Sequence, residues 1–248
     1  MRPKSVEIKV TVAGSNVGEA VAALGLPEGQ GWRILFCEDV AAGVAPSTPL
    51  LDIGVVLRAR KKSGTKGDST VKLRPCRWSQ LSGDFFANRD NDSAELKIEA
   101  DWAGPKRTLA ASLTTDWDDD RVVAVQSGNL PPADLFDQEQ RRFLEQCSNG
   151  LVNLDALTAL ADITATRWKE FPAKVAGPDL SVRAERWVID GAIEFLELSI
   201  VSDLVRAERD QAALQYFLAD RSLIVEQNQE NKTQRVLSYL VARAVSTA

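Results

Sequence analysis

Apolar and polar side chains alternate with a period of two over much of this chain, the spacing of strands that bury one face. Val6, Ile8, Val10 and Val12 stand against Glu7, Lys9 and Thr11 in a first strand. A second strand is expected from Trp32 to Val40. From Ala94 to Trp102, Leu96, Ile98 and Ala100 oppose Glu95, Lys97, Glu99 and Asp101. Shorter strands over 108–115 and 121–126 flank an acidic loop, Asp116 to Asp120. Leu180 to Ile189 and Ile193 to Val201 alternate again around an Asp190-Gly191 turn. Helical patterns fill the intervals. One is capped by Ser15 or Asn16 and ended by Gly25 and Pro27, and one opens at Pro131-Pro132 and reaches Cys147. Others are expected over 154–163, 203–220 and 232–244.

Two adjoining strands differ from the rest. Leu57-Arg58-Ala59-Arg60 and Val71-Lys72-Leu73-Arg74 are joined by a Gly- and Ser-rich turn through 61–69. Alternation puts Arg58 and Arg60 on one face, and Lys72 and Arg74 likewise, with Leu57, Ala59, Val71 and Leu73 on the other. Like charges side by side on a sheet are destabilising, so this hairpin requires counter-charge from acidic side chains or from an anionic ligand.

Composition narrows the chemistry. The 248 residues are 44% hydrophobic and 26% charged, ordinary for a folded globular protein. The net charge of −5 argues against nucleic-acid binding driven by bulk charge, so an anion site has to be a local concentration of Arg and Lys. No apolar run approaches the ~18 residues of a membrane span, and the first residues lead into an alternating segment, which points to a cytoplasmic protein. The three cysteines, Cys37, Cys76 and Cys147, are widely spaced and read as reduced thiols. Histidine is absent, which removes imidazole bases, Ser-His or Cys-His nucleophiles and His-ligated metals. Any metal is then a hard cation on oxygen ligands. The six tryptophans are scattered and read as packing residues, not as a stacking platform.

The helices carry enough apolar surface to cover the aliphatic faces of these strands. Closing the sheet on itself, charges inward and helices outward, satisfies both faces and removes exposed edges. The expected fold is α+β, a single domain over 1–248 with a helical insertion near 131–170.

The order of motifs resembles the CYTH superfamily, the triphosphate tunnel metalloenzymes. The resemblance rests on Glu7-Ile8-Lys9, on Phe36-Cys37-Glu38-Asp39, on the LRxR strand Leu57 to Arg60 and on the TxK pattern Thr70-Val71-Lys72. It continues through Glu95 to Glu99, the basic strand Val182 to Trp187, Glu197-Leu198 and the late Lys232. It implies an eight-stranded antiparallel closed barrel, a tunnel with a charged interior. Arg58, Arg60, Lys72 and Arg183 would bind phosphates, with Arg74, Lys97 and Lys232 as further candidates, while Arg186 falls on the opposite strand face from Arg183. Glu7, Glu95, Glu99 and Glu197 would hold Mg²⁺ or Mn²⁺. The partner implied is a small-molecule polyphosphate or nucleotide, not a nucleic acid or membrane.

Two positions depart from the family pattern. Its first strand reads ExExK, where this chain has Glu7, Lys9 and Thr11, and its late ExE is here Glu197 and Ser199. Two readings stay open: binding with metal-dependent hydrolysis of a triphosphate, and a catalytically inactive phosphate-ligand sensor or protein-interaction module.

Overall fold

The computed structural model of the chain describes all residues except 1–2, 14–15, 41–45, 63, 65, 88, 91–93, 174–178, 228, 230–231 and 248. Ser15, one of the two expected helix caps, and two positions of the 61–69 turn lie outside the described residues. The strands are β1 (Val6–Ala13), β2 (Gln30–Glu38), β3 (Val55–Lys61), β4 (Gly67–Leu73), β5 (Arg89–Asp90), β6 (Ala94–Ala103), β7 (Lys106–Trp117), β8 (Thr158–Ala173), β9 (Leu180–Ile189) and β10 (Ile193–Ser202). The helices are α1 (Val17–Ala23), α2 (Pro49–Asp52), α3 (Arg121–Gln126), α4 (Gln138–Cys147), α5 (Ala207–Asp220) and α6 (Lys232–Thr247).

Hydrogen bonding orders the strands β1-β10-β9-β8-β2-β3-β4-β7-β6-β5, and a further pairing of β1 with β6 joins the ends. The result is a closed mixed β-barrel of nine strands, with β5 attached to β6. This corrects the expected eight-stranded antiparallel barrel. The additional strand is β8, over a stretch whose Leu, Ala and Asp residues read as a helix from 154 to 163; its β-branched Ile163, Thr164 and Thr166 favour the extended form. An odd number of strands cannot alternate in direction around a ring, so at least one pair must run parallel. β1 and β6 are that pair, with Glu7 opposite Asp101 and Lys9 opposite Ala103. The expected strand at 121–126 is α3 instead, because Val122 and Val125 are buried three residues apart, a helical spacing.

Two compact units divide the chain, one formed by Met1–Trp32, Glu99–Arg107 and Ile163–Glu230, the other by Arg33–Ile98, Thr108–Asp162 and Asn231–Ala248. In the first, Val6, Ile8, Val10 and Val12 of β1 join Leu196, Leu198 and Ile200 of β10 and Val182 and Ala184 of β9 in one core. Val17 and Ala20 of α1 and Leu214, Phe217 and Leu218 of α5 cover it. In the second, Leu57, Ala59, Val71, Leu73 and Leu113 form the core with Val122 and Val125 of α3 and Phe143, Leu144 and Cys147 of α4. In each unit the aliphatic half of the alternation lies under helices and the charged half takes the other face.

Helix α4 sets the β4–β7 register. Asp137 and Gln140 form a reciprocal capping box at its start. Fully buried Gln140 accepts from Ser69 Oγ at 2.8 Å and donates through Nε2 to the Ser69 and Leu113 carbonyls at 3.0 and 3.2 Å. At the first position of β4, a Cβ on Gly67 would come within 2.6 Å of both the Arg60 carbonyl and Trp117 Nε1, so only glycine lets the three strands approach there. Replacing Gln140 with Ala orphans buried polar groups on two strands, and should lower the unfolding free energy by about 1–3 kcal/mol in urea titration.

Candidate functional site

In the second unit, the β3–β4 ladder places Arg58 opposite Thr70, Arg60 opposite Asp68 and Val56 opposite Lys72. Facing residues share a sheet face, so Arg58, Arg60 and Lys72 line one surface, each half-buried. Phe36 and Ile34 extend it on β2, and Ser112 and Thr114 on β7. Arg74 lies beyond the end of β4; its backbone N–H donates to the Gly54 carbonyl at 2.7 Å. Lys97 is half-buried on β6, on the strand face of Glu95 and Glu99, and Lys232 is the first residue of α6.

The hairpin supplies part of its own counter-charge. Both Asp68 oxygens accept from the Arg60 guanidinium fork, at 2.8 Å each, and Lys62 Nζ is 3.0 Å from Asp68 Oδ2. Burial by itself would raise the Asp68 pKa, but the Arg60 charge and hydrogen bond, joined by the Arg58 and Lys62 charges, hold it below the usual carboxylate range. Lys62 also reaches Asp116 at 2.8 Å, and its pKa rises because these acidic partners outweigh its desolvation. Arg58 donates to Thr70 at 3.4 Å, and Thr70 is within 3.1 Å of Thr114. The sequence places Asp68 inside the turn; the observed strand starts one residue before it.

Glu38, the last residue of β2, is buried and caps α2. It accepts from the Leu50 and Leu51 N–H groups at 2.7 and 3.3 Å, and burial raises its pKa. The three cysteines are buried, and desolvation pushes Cys37 and Cys147 up and Cys76 up to about 11, the opposite of what a nucleophile requires.

The first unit holds the carboxylates. One ligand oxygen from each of Glu7, Glu99 and Asp101 lies within 4.8 Å of the others, a donor set suited to a hard cation. Glu7 and Glu99 are two of the four expected metal ligands. Asp101 shares their strand face in the sequence pattern, but its approach to Glu7 depends on the parallel β1–β6 pairing, which no local signal announces. Of the other two expected ligands, Glu95 is exposed opposite Asp90, and buried Glu197 faces Thr11 on β1 and Glu185 on β9. A cation already stands at the three-carboxylate cluster. Lys9 Nζ is 2.7 Å from Glu7 Oε2 and 3.3 Å from Asp101 Oδ1. By donor count the carboxylates could hold a divalent ion; with the ammonium bonded to two of them, they do not fit one as they stand.

Arg183 is half-exposed and pairs with Glu170 at 2.7 Å, which lowers the pKa of that exposed carboxyl. β9 runs without a bulge against β10, so Arg186 stays on the opposite face from Arg183 and bonds Glu194 at 2.5 Å. Trp187 stacks on Phe195 at 6.0 Å and donates to Glu185 at 3.1 Å, while Arg167 lies over the Trp32 ring at 4.7 Å. These tryptophans are packed against their own neighbours, as the sequence pattern implies.

Asp68→Asn keeps the shape of the side chain and removes its charge from beside Arg60 and Lys62. The loss is expected to be about 3 kcal/mol of unfolding free energy at neutral pH. A depressed folded-state pKa contributes stability above the unfolded value of about 4, and that contribution is lost as pH falls further. Urea titrations from neutral pH to pH 2 should therefore show the wild type and Asp68→Asn converging at the acid end.

No family model matches the sequence, and no curated protein is similar to it. Solved structures do resemble the fold. A candidate adenylate cyclase from Bacillus halodurans superposes with a TM-score of 0.54 at 14% identity, over 94% of this chain and 98% of the other. A candidate adenylate cyclase from Vibrio parahaemolyticus gives 0.42 at 12% identity, over 94% and 97% of the two chains. A protein from Pyrococcus horikoshii gives 0.44 at 10% identity, over 94% and 99%. The first of these likenesses shows that the chain shares the fold of the Bacillus protein along nearly its whole length.

Proposed function

We propose that the protein binds a triphosphate or another phosphate-rich small molecule, such as a nucleotide, in the manner of the CYTH-type proteins its motifs resemble. The observation that carries this reading is the basic face of β3 and β4, where Arg58, Arg60 and Lys72 are gathered on one sheet surface. Arginine offers a planar fork to two phosphate oxygens and lysine a point charge, the pairing that polyphosphates require. Of the seven phosphate-contact candidates, Arg58, Arg60, Lys72, Arg74, Lys97 and Lys232 all belong to the second unit, and Arg183 to the first. Across the hairpin Arg58 donates to Thr70, and both fork nitrogens of Arg60 bond Asp68. The likeness to a candidate adenylate cyclase supports a nucleotide or related phosphate as the ligand.

A second reading adds hydrolysis of the bound triphosphate with Mg²⁺ or Mn²⁺; the donor count of Glu7, Glu99 and Asp101 favours it, and the Lys9 ammonium bonded to two of them opposes it. The chain's own share in either reading is electrostatic: its cations hold and orient the phosphates, with no covalent nucleophile among its buried thiols.

Calorimetric titration with tripolyphosphate and with ATP tests the proposal. Saturable binding is expected, and Arg58→Ala should weaken it roughly tenfold to hundredfold, the worth of a hydrogen bond to a charged group. If the folded wild type binds neither anion at millimolar concentration, the proposal fails. Binding without phosphate release in the presence of Mg²⁺ or Mn²⁺ would remove the hydrolytic reading and leave the binding one.

A further inference from the structure

The parallel ladder between β1 and β6 brings Glu7, Glu99 and Asp101 together, and the Lys9 ammonium bridges Glu7 and Asp101. Lys9 faces Ser199 across one ladder and Ala103 across the other. Both neighbours are small, so the long side chain has room to fold back to Glu7 and Asp101 on either side. The groups are well shielded: the Lys9, Asp101 and Glu7 side chains are 15%, 7% and 21% exposed, and Glu99 is buried.

From this arrangement we infer that Lys9 is the resident cation of the cluster, a tethered substitute for a divalent ion, and that it excludes Mg²⁺ and Mn²⁺ from these carboxylates. Three physical arguments support it. Carboxylates brought this close repel one another unless a positive charge stands among them. A covalently tethered ammonium supplies that charge at high effective concentration, with no ion to capture from solution and no tightly held hydration shell to strip, as Mg²⁺ would require. Once seated, the ammonium repels any divalent ion approaching within a few ångströms, and partial burial strengthens that repulsion. The departure of Lys9 from an all-carboxylate pattern is then a replacement of the metal, not an erosion of its site. The inference stands apart from phosphate binding, and it opposes the hydrolytic reading wherever that reading needs the metal at this cluster.

The test measures Mn²⁺ binding to the full chain by the loss of the free-ion paramagnetic resonance signal, with thermal melts in parallel and no phosphate ligand present. Lys9→Met keeps the aliphatic stem and removes the charge. Wild type is expected to bind no Mn²⁺ that depends on the cluster. Lys9→Met should gain one site, tighter by on the order of a hundredfold, and its melting temperature should rise with Mn²⁺ while that of wild type does not. Adding Asp101→Asn to Lys9→Met should abolish the gain. A folded Lys9→Met with no gain in Mn²⁺ affinity overturns the inference. Saturable Mn²⁺ binding by wild type that disappears in Glu99→Gln also overturns it, and this arm decides the matter even if Lys9→Met does not fold.

Discussion

A ring of nine strands has to contain at least one parallel pair, and in this protein that constraint falls on β1 and β6. The rest of the first unit's polar face follows from it. Antiparallel pairing with β10 sets Lys9 opposite Ser199 and Thr11 opposite Glu197, while the parallel pairing sets Glu7 opposite Asp101. β1 is thus hydrogen-bonded on both sides and has no edge to protect. Its valines and isoleucine lie under α1 and α5, so every charged residue of the strand must find its partner on the other face.

Charge on that face is compensated from within the strands. In the second unit Arg60 and Asp68, directly opposite in one hairpin, form a bidentate pair to which Lys62 adds a second cation. In the first, Lys9 bridges Glu7 and Asp101, and Arg167 lies 3.6 Å from Glu185. Half-buried charges left unpaired would cost the fold several kcal/mol each, so such pairs are a condition of placing this many ionised groups on shielded strand faces. The same condition separates the cations of the basic hairpin. Arg60 is engaged with an internal anion, whereas Arg58 meets a threonine hydroxyl across the ladder.

The legible part of the site is the part written by local periodicity. Alternation over 6–12 and 94–102 separates Glu7, Lys9, Glu99 and Asp101 from their aliphatic neighbours by strand face, although Glu99 and Asp101 are themselves buried. The LRxR and TxK segments likewise fall on paired strands with their cations on a common face. What periodicity misjudged was type and extent where composition is ambiguous. The segment before Ile163 has helix-forming residues yet belongs to β8, and Arg121–Gln126, rich in valine, winds into a helix because its buried positions recur every three residues. Asp68 was hidden by a three-residue error in where β4 begins, and with it the internal partner of Arg60.

The sequence by itself determined which side chains share a face, the lack of imidazole chemistry, and the presence of a lysine where a carboxylate pattern would continue. Those properties depend on residue identity and on a two-residue repeat, both local. Only the tertiary structure decided which faces meet. Glu7 and Asp101 are 94 positions apart, and their apposition comes from the direction and register of a strand pair formed across most of the chain's first half. Pairing of that kind depends on loop closure and on the parity of the ring, quantities that belong to the whole sheet and not to any segment of it. The ammonium of Lys9 among those carboxylates is the result: an alternating strand supplied the charge, and the closing pair supplied its partners.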